Sequence, residues 1–380
     1  MGDYDLQQDR RSLTAFAASR RDFLIKAAGA GAAAVAGLTP QVGIAQMPAA
    51  STPPNPGQTR EYWIGADSML WNLVPNGRDD ITGAKYQPND GVFPTVGYRA
   101  YSPNWVSVLA SNDSIGENEG IPGPVIRARV GDTIVIHLKN NDLRPRWSAH
   151  SLHMQGLVHE PENNGFWYGA KPDLPGTAIY PGESYTYRYT VPKTAAGTWL
   201  YYDQSASRRT KIQGGLDMRI YRAVPVYTRA QPQDPDELDA PTGAQHGLFG
   251  MVVIEDEHTP PADRENIVLL HDIYAEDFPM LAQDFDCING RSFLYNTPTF
   301  HAKLGERIRW RVGVIGRESH VFHIHGHRWL TNGRSTDTHI LSPGTTATFE
   351  YKEDAVGTWL YHCHLTEHMM GGMAGEYIVA

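Results

Sequence analysis

The feature that most restricts what this chain can fold into is that its body is written twice. VGD (130–132) is matched by LGE (304–306), HSLHMQG (150–156) by HVFHIHG (320–326), GTWLYYDQ (197–204) by GTWLYHCH (357–364), and GLFGMVVIE (247–255) by GMAGEYIVA (372–380). Four matched stations in one order mark two copies of a single unit, each burying its own apolar face. Within each copy, stretches such as RARVGDTIVIHL (127–138) and HAKLGERIRWRV (301–312) alternate with the period of two of half-buried strands. Gly, Pro and Asn turns separate them, and no amphipathic helix of ordinary length follows residue 45. The expected class is all-β, two tandem β-sandwiches or barrels. The expected divisions are an extension over 46–90, a first domain over 91–257 and a second over 258–380, with the boundary in the polar stretch His258–Arg264. The first copy also carries a loop-like insertion over 205–245.

Residues 1–45 read differently. Arg20 and Arg21 precede Phe23, Leu24 and the small apolar run AAGAGAAAVAGL (27–38). A paired Arg ahead of such a run is the bacterial twin-arginine signal, which exports proteins that have already folded. The run is too short to remain as a membrane helix, which needs about 20 residues. Gly43 and Ala45 suit a signal peptidase, so the mature chain is expected to begin near Gln46 and to act in the periplasm without a membrane span. The formal net charge of -9 argues against nucleic acid as a partner.

Sixteen His stand against two Cys, and seven of the His fall in HVFHIHGH (320–327) and HCHLTEH (362–368). Core His are normally single, so this concentration points to metal. One thiolate, two imidazoles and a weak axial thioether make a blue-copper electron-transfer site, in which soft sulfur favours Cu(I). The candidate ligands are His320, Cys363, His368 and Met373. Structural zinc sites generally pair cysteines at short spacing, and only one Cys is available here. If Cys363 points to one face of its strand, His362 and His364 point to the other. His323 and His325 likewise lie opposite His320. The four imidazoles are therefore expected to converge on a second metal position one residue away from Cys363. His327 is expected at the surface or behind the ligands, Met369 and Met370 in packing, and Cys287 as a free buried thiol.

HVFHIHGHRW (320–329) and WLYHCHLTEHMMGGM (359–373) resemble the C-terminal copper motifs of multicopper oxidases, most closely those of two-domain bacterial small laccases. The likeness spans both domains, from about Gly123 to Ala380. It implies two Greek-key cupredoxin domains and a homotrimer, with a trinuclear copper cluster between the first domain of one chain and the second domain of the next. It also implies a type 1 copper that passes electrons from a small-molecule or metal-ion donor through His362-Cys363-His364 to the cluster, where dioxygen is reduced.

The first copy departs from that pattern. His153 remains, but Gln155, Tyr202 and Gln204 stand where the family has His, so three of eight cluster ligands are missing. By position, His153 and His323 match the type 2 pair, while His325, His362 and His364 match half of the type 3 set. A site for one or two coppers is expected, with Tyr202 lining it and Asp203 relaying protons. His150 aligns with His320 but faces Asp203 where the second copy has Cys363. It is expected to be structural, and His159 and His246 ordinary. Three functions stay open. One is a laccase-like oxidoreductase acting on a phenol, an aromatic amine or a metal ion. Another is a nitrite-reductase-like enzyme, with a small oxyanion as acceptor. The last is a non-catalytic blue-copper carrier.

Overall fold

The computed structural model describes residues 57–143, 149–166, 175–205 and 243–380. The signal segment 1–45 and residues 206–242 of the insertion lie outside the described residues. The first domain contributes β1 (Thr59–Asn72), β2 (Val92–Tyr101), β3 (Ile126–Arg129), β4 (Thr133–Asn141), β5 (His153–Met154), β6 (Ser184–Thr190), β7 (Gly197–Tyr202), the one-turn helix α1 (Gly243–His246) and β8 (Phe249–Glu255). In β4, Ile134, Ile136 and Leu138 are buried and Thr133, His137 and Lys139 are partly exposed, which is the alternation of a strand with one face on a core.

The second domain contributes β9 (Arg264–Ile273), β10 (Phe285–Ile288), β11 (Thr299–Ala302), β12 (Arg307–Val314) and β13 (His320–Ile324). The hairpin β14 (Trp329–Thr331) and β15 (Arg334–Thr336) follows, then β16 (Thr338–Leu341), β17 (Thr346–Lys352), β18 (Gly357–Cys363), the short helix α2 (Thr366–Met370) and β19 (Ala374–Val379).

The duplication is repeated in the sheets, with β16 and the β14–β15 hairpin added in the second domain. One sheet of the first domain runs β2-β1-β4-β6 and its counterpart runs β10-β9-β12-β17; the other sheets run β3-β8-β7-β5 and β11-β19-β18-β13-β16. Strand β1 pairs antiparallel with β2 and parallel with β4, and β9 pairs in the same senses with β10 and β12. The fold is all-β, two cupredoxin-like sandwiches in tandem. One expectation changes: Thr59–Asn72, assigned from sequence to an N-terminal extension, is an inner strand of the first sheet. Its apolar residues are spaced by pairing with β4 across 74 residues of chain, which no local pattern reveals.

Small details of packing are duplicated too. Tyr201 lies across from Gly250 and Tyr361 across from Gly375, each ring lying where a Cβ would sit. Each hydroxyl donates to a proline carbonyl at 2.6 Å, Pro124 in one domain and Pro298 in the other. Between the domains lies a third apolar cluster that includes Trp71, Phe93, Leu200, Met251, Leu269 and Phe285. Strand β8 is buried on both faces because it serves this cluster and its own core, so its sequence is continuously apolar. Among the described residues no helix is long and apolar enough to cross a membrane.

Candidate metal centre

Strands β13 and β18 lie side by side, with Phe322 opposite Cys363 and His323 opposite His362. That register divides the histidines between two faces. On the inner face, His320, Cys363 and His368 bring one ligand atom each to within 4.8 Å of one another, all three residues buried. The two imidazoles meet at 2.9 Å through their Nδ1 atoms, so only one of the two can carry a proton there. His368 Nδ1 lies 3.7 Å from Cys363 Sγ. Met373 is fully buried in the same core, and its carbonyl accepts the Cys363 N–H at 3.1 Å. Helix α2 places His368 here, one turn after the strand that carries Cys363.

The electrostatics suit a cation. Burial opposes ionisation of Cys363, but His320, His368 and the amides of Val321 and Leu365 outweigh it and hold the thiol at about 6. His368 is pushed up to about 9, first through its bond to Cys363. His320 also rises to about 9, its burial being overcome by Asp272 and Cys363. A buried thiolate with two imidazoles and a thioether nearby fits copper, which prefers soft sulfur with imidazole.

On the other face, His323, His325 and His362 also offer ligand atoms within 4.8 Å of one another. His325 and His362 approach at 3.0 Å through Nε2, and the His364 ring lies 5.1 Å from His323. Burial and the neighbouring imidazoles push His362 down to about 4, and His325 is lowered for the same reasons. Neutral imidazoles clustered in this way are ready to ligate. His325 and His364 are exposed, so the cluster opens onto the surface.

The first-domain residues take other places. His153 pairs with Tyr202 across β5 and β7, their rings 5.4 Å apart, and its Nδ1 bonds the Asn164 carbonyl at 2.7 Å. Neither residue belongs to either group of converging ligands within one chain. Gln155 donates to the Gly344 carbonyl at 3.1 Å and thereby ties the first domain to the β16–β17 turn. Gln204 forms an isolated bridge with Phe166.

Asp203 corrects an expectation. Its side chain points into the first-domain core, away from Tyr202. There Oδ2 meets His150 Nδ1 at 2.9 Å, while Oδ1 accepts from the Ser151 amide and hydroxyl and the Ser205 amide. The strand alternation that separates Cys363 from His362 removes Asp203 from the second metal position, and its acceptors are occupied. His150 is held on its other side by Asp142, also at 2.9 Å. His327 is buried and bonded to the His325 carbonyl and to Glu353, behind the ligands. His159 bonds the neighbouring Glu160 carbonyl and packs edge-on against Tyr189, and Cys287 is free and buried.

Two carboxylates that no sequence pattern marks stand behind the inner ligands. Glu318 lies 3.0 Å from His368 Nε2 and accepts the Tyr274 hydroxyl. Asp272 Oδ1 lies 3.2 Å from His320 Nε2. They come from β9 and from the turn after β12, so only the folded sheet brings them near. Burial pushes nearby Asp286 up to about 7, whereas the surrounding imidazoles hold Asp272 below the ordinary carboxylate range despite its burial.

Models of the multicopper oxidase family match residues 101–221 and 259–380. The chain is 27% identical over 354 residues to ceruloplasmin of Mus musculus, an alignment covering 84% of this chain and 32% of that protein. It thus spans about a third of the length of this relative. A crystal structure of a multicopper oxidase superposes with a TM-score of 0.57 at 22% identity, covering 85% of this chain and 89% of that one. A copper nitrite reductase from Nitrosomonas europaea superposes at 0.54 and 16% identity, covering 85% and 94%. These likenesses show a shared fold, and together with the two matched models and the motifs of β13 and β18 they establish that the chain belongs to the multicopper oxidase family.

Proposed function

We propose that the protein is a periplasmic copper-dependent oxidoreductase with one intact blue-copper position and a second copper position of reduced nuclearity. The observation that carries this reading is the back-to-back arrangement on β13 and β18. Cys363 faces one ligand group, while its chain neighbours His362 and His364 face the other. His320, Cys363, His368 and Met373 would hold the first copper, which supplies reversible one-electron exchange. His323, His325, His362 and His364 would hold the second, and the peptide from His362 to His364 is the covalent link between them.

The open face of the second cluster supports assembly with further copies of the chain. His325 and His364 are exposed, and His153 joins neither group of converging ligand atoms within one chain. In a homotrimer, His153 and Tyr202 of one copy would face the imidazoles of the next. A small donor, whether a phenol, an aromatic amine or a metal ion, would approach at His368, whose outer nitrogen leads through half-exposed Glu318 to solvent. Dioxygen or another small acceptor would be reduced at the second position.

A nitrite-reductase-like activity is the second reading. It is favoured by the loss of His at Gln155, Tyr202 and Gln204, which leaves ligands for a single catalytic copper, and by the fold likeness to a copper nitrite reductase.

Metal analysis with paramagnetic resonance tests the proposal. Two coppers per chain, one blue and one type 2, are expected. One copper with only a blue signal overturns both enzyme readings, and four, a full trinuclear set beside the blue copper, shows that Gln155, Tyr202 and Gln204 do not limit the cluster. Oxygen uptake with a phenol donor, set against anaerobic nitrite consumption, separates the two activities.

A further inference from the structure

The imidazole at the blue-copper position has a partner on each side. Nδ1 of His320 faces His368 and the Cys363 sulfur, while Nε2 faces Asp272 Oδ1 at 3.2 Å. Both Nε2 and Oδ1 are buried and neither completes a hydrogen bond among the described residues, so this contact with each other is what each is left with. The other oxygen of Asp272 receives the amides of Arg317 and Glu318 at 3.4 Å each, which fix the carboxylate in place.

The first domain supplies an independent view of the same arrangement. His150 occupies the position of His320 in the duplicated unit and carries Asp142 on Nε2 at 2.9 Å. On Nδ1 it carries Asp203, the residue that stands where the second copy has Cys363. The two outer carboxylates are not equivalent in sequence. Asp142 follows β4, whereas Asp272 lies in β9, the counterpart of β1, which is the neighbour of β4. A buried carboxylate thus reaches the outer nitrogen of this imidazole in both domains, from two different strands. In the first domain the inner carboxylate replaces the thiolate, so that a proton on His150 takes the place of a metal.

We propose that Asp272 is a positioning residue for His320, holding its ring by Nε2–H and lowering the reduction potential of copper bound at Cys363. A carboxylate on the outer nitrogen of a ligating imidazole raises ligand basicity and fixes the tautomer. A buried negative charge also favours the more highly charged Cu(II) over Cu(I), and hydrogen bonding around such a site sets its potential. The inference rests on the copper reading above. His368 has Glu318 in the corresponding place, but Glu318 is half-exposed and screened by water, so its influence is smaller.

The test is a redox titration of the copper-loaded protein followed by its blue absorption. Asp272→Asn keeps the shape and removes the charge. It should retain copper and colour while its preference for Cu(II) over Cu(I) falls about tenfold, a rise of about 59 mV for one electron. Asp272→Glu, which restores the charge, should return most of that shift, and Glu318→Gln should give a smaller rise than Asp272→Asn. An unchanged potential in a fully loaded Asp272→Asn protein overturns the proposal, whereas absence of blue copper from the wild type overturns only the copper reading. Should Asp272→Asn fail to fold, proton resonance of the wild-type protein loaded with cobalt(II) decides. A ligand Nε2–H that persists in heavy water is expected from the buried His320 contact, and rapid exchange of both ligand N–H protons refutes it.

Discussion

His150 shows how one substitution changes the chemistry of a duplicated position. Burial alone disfavours its charged form, yet carboxylates on both nitrogens raise its pKa above the ordinary value. Because the folded pKa is raised, the stabilisation is complete below the unfolded value of 6.5 and is lost as pH rises through the folded one. His150→Gln leaves Asp142 and Asp203 buried without a cation. It should destabilise the protein by about 3 to 5 kcal/mol, the cost of breaking a buried ion pair. Urea unfolding followed from pH 6 upward should show the difference from wild type shrinking as pH rises. The blue absorption of the folded variant should be unchanged, since His150 and Cys363 lie in different domains. A variant that loses colour while remaining folded would refute this separation. In sequence, His150 and Asp203 were recognised as the altered pair, but Asp142, the third member, gave no sign because its role depends on where β4 ends.

At the level of the element, the site depends on how β18 is held against its neighbours. Tyr361 folds over Gly375, with its hydroxyl on the Pro298 carbonyl, and so fixes the strand immediately before His362 and Cys363. A Cβ at Gly375 would come within 2.3 Å of the ring, and the ring is anchored at both ends. Gly375→Ala should therefore cost about 1 to 3 kcal/mol through overpacking. It should also weaken or shift the blue absorption, because displacement of Tyr361 moves Cys363 relative to His320. The matching change Gly250→Ala acts on Tyr201 in the first domain and should cost similar stability with no effect on colour. Thermal unfolding and visible spectra of the two variants check both parts. The alternation of β13 and β18, and hence the division of His among two faces, was legible from spacing alone. Strand β1 was not, because its antiparallel partner β2 follows only after a long connection and its parallel partner β4 lies 74 residues on, so no short turn sets it off from a linker.

Across the whole molecule, the two domains are joined by apolar packing and by one buried ionic network. Glu265 in the second domain binds Arg127 of the first at 2.6 Å, and it also pairs with Arg311, which reaches across to Thr198 at 2.8 Å. Burial alone would raise the Glu265 carboxyl, but Arg311 and Arg127 outweigh it and hold it at about 2. With its folded pKa below the unfolded one, its stabilisation is present above pH 4.5 and is lost as pH falls towards 2. The shift corresponds to about 3 kcal/mol. Glu265→Gln leaves the buried Arg311 guanidinium and the partly buried Arg127 short of a partner. The variant should lose about 3 to 5 kcal/mol at neutral pH and show less acid dependence between pH 4.5 and 2, measured by denaturant unfolding across that range.

The sequence by itself determined the class of fold, its duplication and the candidate ligands grouped on β13 and β18, because these rest on strand period and on residues close together along the chain. It also exposed the substitutions at Gln155, Tyr202 and Gln204, since the second copy shows what stands at those stations. The tertiary structure decided what spacing cannot. It turned Asp203 into the core, brought Asp142 to His150, set Asp272 and Glu318 behind the imidazoles of His320 and His368, and drew Gln155 to Gly344. Apart from Asp142 and His150, which lie on one connection, those partnerships join segments remote in the chain and adjacent only in the folded sandwiches, where burial makes an unpaired polar or charged group costly and so selects which groups must meet.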